Sequence, residues 1–157
     1  MKKLRNPYDQ NDDSFCFGCS KKNQDGLNMT FYEGEQEIVS EWEPKSQFQG
    51  YANILHGGIQ ATLMDEIASW VVFIMLETGG VTSKLSTSFK RPVYTNEGKI
   101  SLKAKLVEKK GRIATIGVEL FNSKGQLCSE SVVEYFVMSP EKAARAMGYP
   151  GIDAFYE

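Results

Sequence analysis

The chain has 157 residues, enough to bury a core without disulfides or metals, and one domain over 1–157 is expected. Aromatic residues at 11% exclude disorder as its main description, and 18 basic against 20 acidic residues lack the basic excess of a nucleic-acid binder. Cys16, Cys19 and Cys128 are too few, and odd in number, for a disulfide framework, so a reduced, cytoplasmic setting is expected.

Lys2, Lys3 and Arg5 near the start precede Asn11, Asp12 and Asp13 rather than an apolar stretch, so no secretory signal is expected. The segment 1–26 is polar, punctuated by Asn, Asp and Gly, and reads as irregular. Asn28–Tyr32 and Ile38–Trp42 read as a hairpin around Glu33-Gly34-Glu35, with Pro44 ending it. From Gly57-Gly58 to about Glu77 the sequence is helical. Ile59, Leu63, Ile67, Val71 and Ile74 recur on one face, and Trp70–Leu76 is apolar nearly all round, which predicts burial on most sides. The longest apolar block, Ile67–Leu76, contains Ser69 and is shorter than the roughly 20 residues that span a bilayer, so no membrane partner is expected.

Four strand-like runs follow: Val81–Lys90, Ile100–Val107, Ile113–Phe121 and Gln126–Met138. Leu102, Ala104 and Leu106 share one side of their run, as do Ala114, Ile116, Val118 and Leu120 of theirs, and Glu108–Gly111 and Asn122–Gly125 suit tight hairpins. Ser139 and Pro140 are placed to open a short helix over Glu141–Met147, within an extension covering 139–157. The sum is an α+β arrangement: an antiparallel sheet of about six strands, the last four as a meander, curled around one long central helix.

The chemistry concentrates in Asn53–Glu66, which holds the only histidine, His56, two glycines at a helix start, and the carboxylates of Asp65 and Glu66. Gly57 and Gly58 either permit a tight turn or let a ligand approach the free amides of the first turn, where a carbonyl or oxyanion is stabilised. His56 either fixes the turn or positions a ligand, and as the lone histidine it cannot belong to a multi-histidine metal site. Asp65 is either solvated or a base or nucleophile at a subunit interface. Gly57 and Asp65 stand about 12 Å apart along a helix, too far to serve one carbonyl. Two antiparallel copies of the helix across a dimer axis would bring one chain's Gly57 beside the other's Asp65, so an enzyme of this kind should be an oligomer with composite sites.

Cys16 and Cys19 have metal-knuckle spacing, but a structural zinc usually takes four ligands and Cys128 and His56 are the only spare candidates; a redox pair is the other reading, although the polar loop does not resemble a strand-to-helix thioredoxin setting, so packing cysteines in an N-terminal flap are expected, with no metal or cofactor. Lys90, Arg91, Lys109, Lys110 and Arg112 sit at strand ends and turns, either as solvated charge or as contacts to the phosphates of a nucleotide-bearing substrate.

Leu55-His56-Gly57-Gly58 followed by Ala61-Thr62-Leu63-Met64-Asp65-Glu66 resembles the hotdog-fold acyl-CoA thioesterases, most of all their PaaI and 4-hydroxybenzoyl-CoA thioesterase-like branch. The likeness includes Phe89-x-x-Pro92 and the opening Cys16-Phe17-Gly18-Cys19 with Asn23-x-x-Gly26-Leu27, and covers roughly residues 14–138. It implies a sheet wrapped around the helix, a homodimer or homotetramer, and hydrolysis of an acyl-CoA thioester without metal or cofactor. By that resemblance Gly57 supplies the amide that polarises the thioester carbonyl, Asp65 attacks or activates water, and Thr82 orients the water. His56 and Gly58 complete the turn and, with Gln49, Lys90, Arg91 and Arg112, are the expected substrate contacts. Gly50 departs from the Asn or Gln that relatives often carry six residues before the histidine, and Gln49 is its nearest substitute. A non-catalytic acyl-CoA sensor on the same fold is the alternative, although the N-terminal segment is too short and acidic for a fused DNA-binding domain; a dehydratase would want a different His–Asp or His–Glu spacing.

Overall fold

The computed structural model describes residues 1–157. Its organising element is helix α1, Gly57–Met75, which starts where His56 turns its imidazole back to accept the Gly58 N–H through Nδ1 at 2.9 Å. Leu63, Met64, Ile67, Ala68, Trp70, Val71, Val72 and Ile74 are buried, so the apolar stripe read from the sequence does face the core. Ile59, at the exposed first turn, is only half buried. At 19 residues α1 is longer than the apolar block suggested, and by length and composition it is long and apolar enough to cross a membrane. Here that apolar surface lies against the sheet, which packs along the helix.

The strands are β1 (Lys2–Lys3), β2 (Tyr32–Glu33), β3 (Ile38–Trp42), β4 (Gly80–Phe89), β5 (Ile100–Lys110), β6 (Ile113–Phe121) and β7 (Leu127–Val137). They form one antiparallel sheet of seven strands in the order β1-β2-β3-β5-β6-β7-β4. Two expectations change. The segment 1–26 contributes a seventh strand, β1, and the first strand of the hairpin is shorter than Asn28–Tyr32, because Met29 N–H and Phe31 C=O bond to Gly18 and Leu4 of that segment instead. The meander is three strands long, β5-β6-β7; β4 crosses to the far edge and pairs with β7 alone. Along the meander the expected inward residues Leu102 and Leu120, and Ala104 and Val118, face one another, Ile116 faces Val133, and all are buried.

Helix α2 (Pro140–Met147) forms as expected, with the Ser139 hydroxyl accepting the Lys142 N–H and Gly148 left-handed after its end. The extension then folds back so that Phe155 and Tyr149 join Tyr8, Phe31, Trp70 and Phe73 in an aromatic cluster beside the second half of α1, with Phe31 stacked on Trp70 at 4.3 Å. Both chain ends therefore pack on the same end of the helix.

Candidate functional site

The loop before α1 is tied at three points: His56 N–H to Phe48 C=O, Leu55 N–H to Val93 C=O, and Gly50 N–H to Ile54 C=O. These bonds aim the helix start at the end of β4, where the Phe89 ring lies 3.5 Å from the position a Gly57 β-carbon would take. The Ile59 and Gln60 N–H groups bond to His56 C=O and the Gly58 N–H to the His56 ring, leaving Gly57 N–H as the first-turn donor without an intramolecular acceptor. His56 is thus the N-cap of the helix. The buried Gln60 amide ties the first turn to Leu55 and to Ser129 of β7, a support the sequence did not announce.

Two turns along α1, Asp65 meets the sheet edge. The Thr82 hydroxyl donates to Asp65 Oδ1 at 2.8 Å, and the Tyr135 hydroxyl lies 2.9 Å from the same oxygen and 2.7 Å from the Asp65 C=O. Thr82 stands opposite Tyr135 in the β4–β7 ladder, just before a bulge at Ser83, so both reach α1 from the concave face. Both hydroxyls converge on Oδ1, and no protein donor is bonded to Oδ2. Burial, and next the Asp65 carboxylate, push the Tyr135 phenol far above its ordinary range, so it acts as a donor. Tyr135 was not anticipated. The available signal was its inward position between Val133 and Val137, where a phenol must find a partner.

Glu66, the neighbouring carboxylate, points elsewhere. It lies under the Cys16–Cys19 loop, 3.4 Å from Cys16 Sγ, and does not join Asp65. Spacing alone had offered Cys128 and His56 as partners for the cysteine pair; the fold places Glu66 there.

The remaining expected contacts are dispersed. The Gln49 side chain accepts the Asn53 N–H at 3.0 Å within its own loop, and Gly50 packs against the His56 ring, 3.6 Å from Cδ2 to the position of an added β-carbon. Lys90 is paired with Glu130 at 3.5 Å, and Arg91 follows it past the end of β4. Arg112 lies near the opposite end of β4, lining a cavity of about 670 Å³ with Lys109, Lys142 and Val81. The ten residues of β4 put roughly 30 Å between Lys90 and Arg112, so within one chain they cannot grip one phosphate group.

The free flank of β4 is the other notable surface. Leu85 and Phe89 face the helix side of this edge strand yet are 38% and 54% exposed, and β4 bonds to β7 alone.

A sheet curled around one long helix, with a free-amide helix start and an Asp–Thr–Tyr cluster, is a hotdog fold. The thioesterase superfamily model matches residues 52–129, from the loop before α1 into β7, and the chain belongs to that superfamily. Among solved structures it resembles a thioesterase superfamily protein at 23% identity and TM-score 0.68, over 74% of this chain and 60% of that one. It also resembles a thioesterase from Haemophilus influenzae, at 21% identity and TM-score 0.66, over 72% of this chain and 80% of that one. A hypothetical thioesterase from Streptococcus pneumoniae, solved with coenzyme A, is similar at 21% identity and TM-score 0.66, over 72% of this chain and 90% of that one. At these identities the likeness bears on the fold. No curated protein matches the sequence.

Proposed function

We propose that the protein hydrolyses acyl-CoA thioesters to a carboxylic acid and coenzyme A, at a site shared between two protomers. The observation that carries this reading is the Asp65 carboxylate held through one oxygen by Thr82 and Tyr135, beside an edge strand with one free flank. Two β4 strands paired antiparallel across a two-fold axis would complete the sheet and cover Leu85 and Phe89. Centred near the middle of the strand, that pairing carries the Phe89 end of one protomer to the Thr82 end of its partner. Gly57 of one chain then faces Asp65 of the other, and Lys90 and Arg91 of one approach Arg112 of the other, where together they suit the phosphates of coenzyme A.

In this site the thioester carbonyl accepts the Gly57 N–H, reinforced by the positive end of a 19-residue helix. Asp65 Oδ2 attacks the acyl carbon or takes a proton from the water that does. The C–S bond breaks, the thiolate leaves and is protonated, and water supplies the acid's new oxygen, either by direct attack on the thioester or by hydrolysing the acyl-Asp65 anhydride. Tyr135 and Thr82 hold the carboxylate against rotation while it works. Coenzyme A in the Streptococcus pneumoniae relative supports this substrate class.

The test is thiol release from a panel of aliphatic and aromatic acyl-CoA thioesters. Asp65→Asn should release none while remaining folded. Mixing Asp65→Asn with a Gly57→Pro variant, each inactive alone, should restore about a quarter of wild-type activity, since half of randomly mixed dimers carry one intact site of two. Stoichiometric binding without release would mark the sensor instead, and no recovery on mixing would refute the shared site.

A further inference from the structure

Away from the proposed catalytic groove, three ligating side chains converge between the N-terminal loop and the middle of α1. Cys16 Sγ, Cys19 Sγ and a Glu66 carboxylate oxygen all lie within 4.8 Å of one another. The 3.4 Å between Cys16 Sγ and Glu66 Oε1 is close to the edge, about 3.5 Å, of a tetrahedron built on Zn–S and Zn–O bonds of about 2.3 and 2.0 Å. We propose that Cys16, Cys19 and Glu66 together bind one thiophilic divalent cation of the zinc class, which fastens the N-terminal segment to α1 and leaves a fourth position for water.

Two features of the site support this. The loop is pre-formed: Leu27 N–H bonds to Phe17 C=O at 2.7 Å, Met29 N–H to Gly18 C=O at 2.9 Å, and Asn6 Nδ2 to Cys19 C=O at 3.1 Å, so the sulfurs are held in place by the fold. Gly18 lies directly on the Glu66 side chain, where an added β-carbon would stand 2.5 Å from the carboxyl carbon, so the loop has closed around that group.

Burial, and then the adjacent Cys16 sulfur, push the Glu66 carboxyl up to about 8, while the Cys19 thiol is driven far above its ordinary range. The Trp70 indole N–H beside Glu66 is buried with no acceptor, a donor available to an ionised carboxylate. A cavity of about 340 Å³ beside the cluster is lined by Cys19 and Trp70 together with Lys3, Arg5 and Lys21.

The experiment uses the full chain, reduced, stripped with a chelator and titrated with Zn²⁺ or Co²⁺ alone. The expected result is one ion per chain, with a near-ultraviolet thiolate-to-cobalt band and the intense visible bands of four-coordinate Co²⁺. Zn²⁺ should slow alkylation of Cys16 and Cys19 and leave Cys128 unchanged. Glu66→Gln should weaken Zn²⁺ binding at least about tenfold and alter the visible cobalt bands, whereas Cys128→Ser should bind as wild type. Two results overturn the proposal: no thiolate–cobalt band in the wild-type protein, or wild-type Zn²⁺ affinity equal to that of a Cys16→Ser/Cys19→Ser variant. Closure of the pair to a disulfide by peroxide despite saturating Zn²⁺ likewise counts against a metal site and for a redox pair. The wild-type spectrum and alkylation pattern decide the matter even where a variant fails to fold.

Discussion

Gly57→Pro separates catalysis from folding at one atom. Proline is favoured at the first position of a helix, where its missing N–H has no intrahelical acceptor to lose, and Gly57 is that position. His56 before it has φ −58° and ψ 133°, in the extended region that a residue preceding proline requires. The space is also open: an added β-carbon would meet only the Phe89 ring, at 3.5 Å. The Gly57 N–H bonds to nothing in the chain, so removing it orphans no carbonyl. Replacing glycine at a compatible backbone position should stabilise the protein by about 0.4–1 kcal/mol, through a less flexible unfolded chain. The same change deletes the donor assigned to the thioester carbonyl. Loss of one such donor costs about 2.7–4 kcal/mol of transition-state stabilisation, or roughly a 10²- to 10³-fold fall in kcat. Steady-state thiol release, with thermal melting of the same sample, reads both quantities. A Gly57→Pro protein that melts at or above the wild-type temperature and keeps full kcat would refute the role of this amide. A melting temperature well below wild type would refute the reading of the helix start.

Tyr135→Phe and Thr82→Ala each remove one donor from Asp65 Oδ1, and each should lower kcat about tenfold with little change in KM, as loss of a bond to a charged group implies; wild-type kcat in both would show that Asp65 needs no such support. Leu85→Asp puts a charge on the exposed inner face of β4 and should leave a folded monomer by light scattering with thiol release lost; an intact, active dimer would place the contact elsewhere. Gly18→Ala forces a β-carbon into Glu66 and should cost about 1–3 kcal/mol in urea unfolding, a loss that the further change Glu66→Ala removes; wild-type stability in Gly18→Ala alone would mean the loop yields freely. Burial raises Tyr8, Tyr149 and Tyr156 to about 12, so between about pH 10 and 12 the folded chain holds protons that the unfolded chain loses, and stability should fall as pH rises through that window. Unfolding at pH 9 and pH 11 checks the sign, and stability that rises would contradict it.

Local patterns in the sequence determined a large part of this molecule. The three- and four-residue recurrence from Ile59 to Ile74 specified a buried helix, and the alternation in Ile100–Val107 and Ile113–Phe121 specified the core face of two strands, because the 3.6 and 2.0 periods are properties of the chain's own geometry. Ser139-Pro140 marked the start of α2 for the same reason: a cap is a contact between near neighbours. The motif around His56 likewise located the helix start and Asp65. Tertiary structure decided what depends on partners far along the chain. It sent β4 to the far edge beside β7, set Tyr135 against Asp65 across 70 positions, drew Glu66 under the Cys16–Cys19 loop across 50, and parted Lys90 from Arg112 by the length of a strand. Strand order and side-chain convergence are set by which buried faces and hydrogen-bonding edges match once the chain has collapsed, and no local period encodes that match.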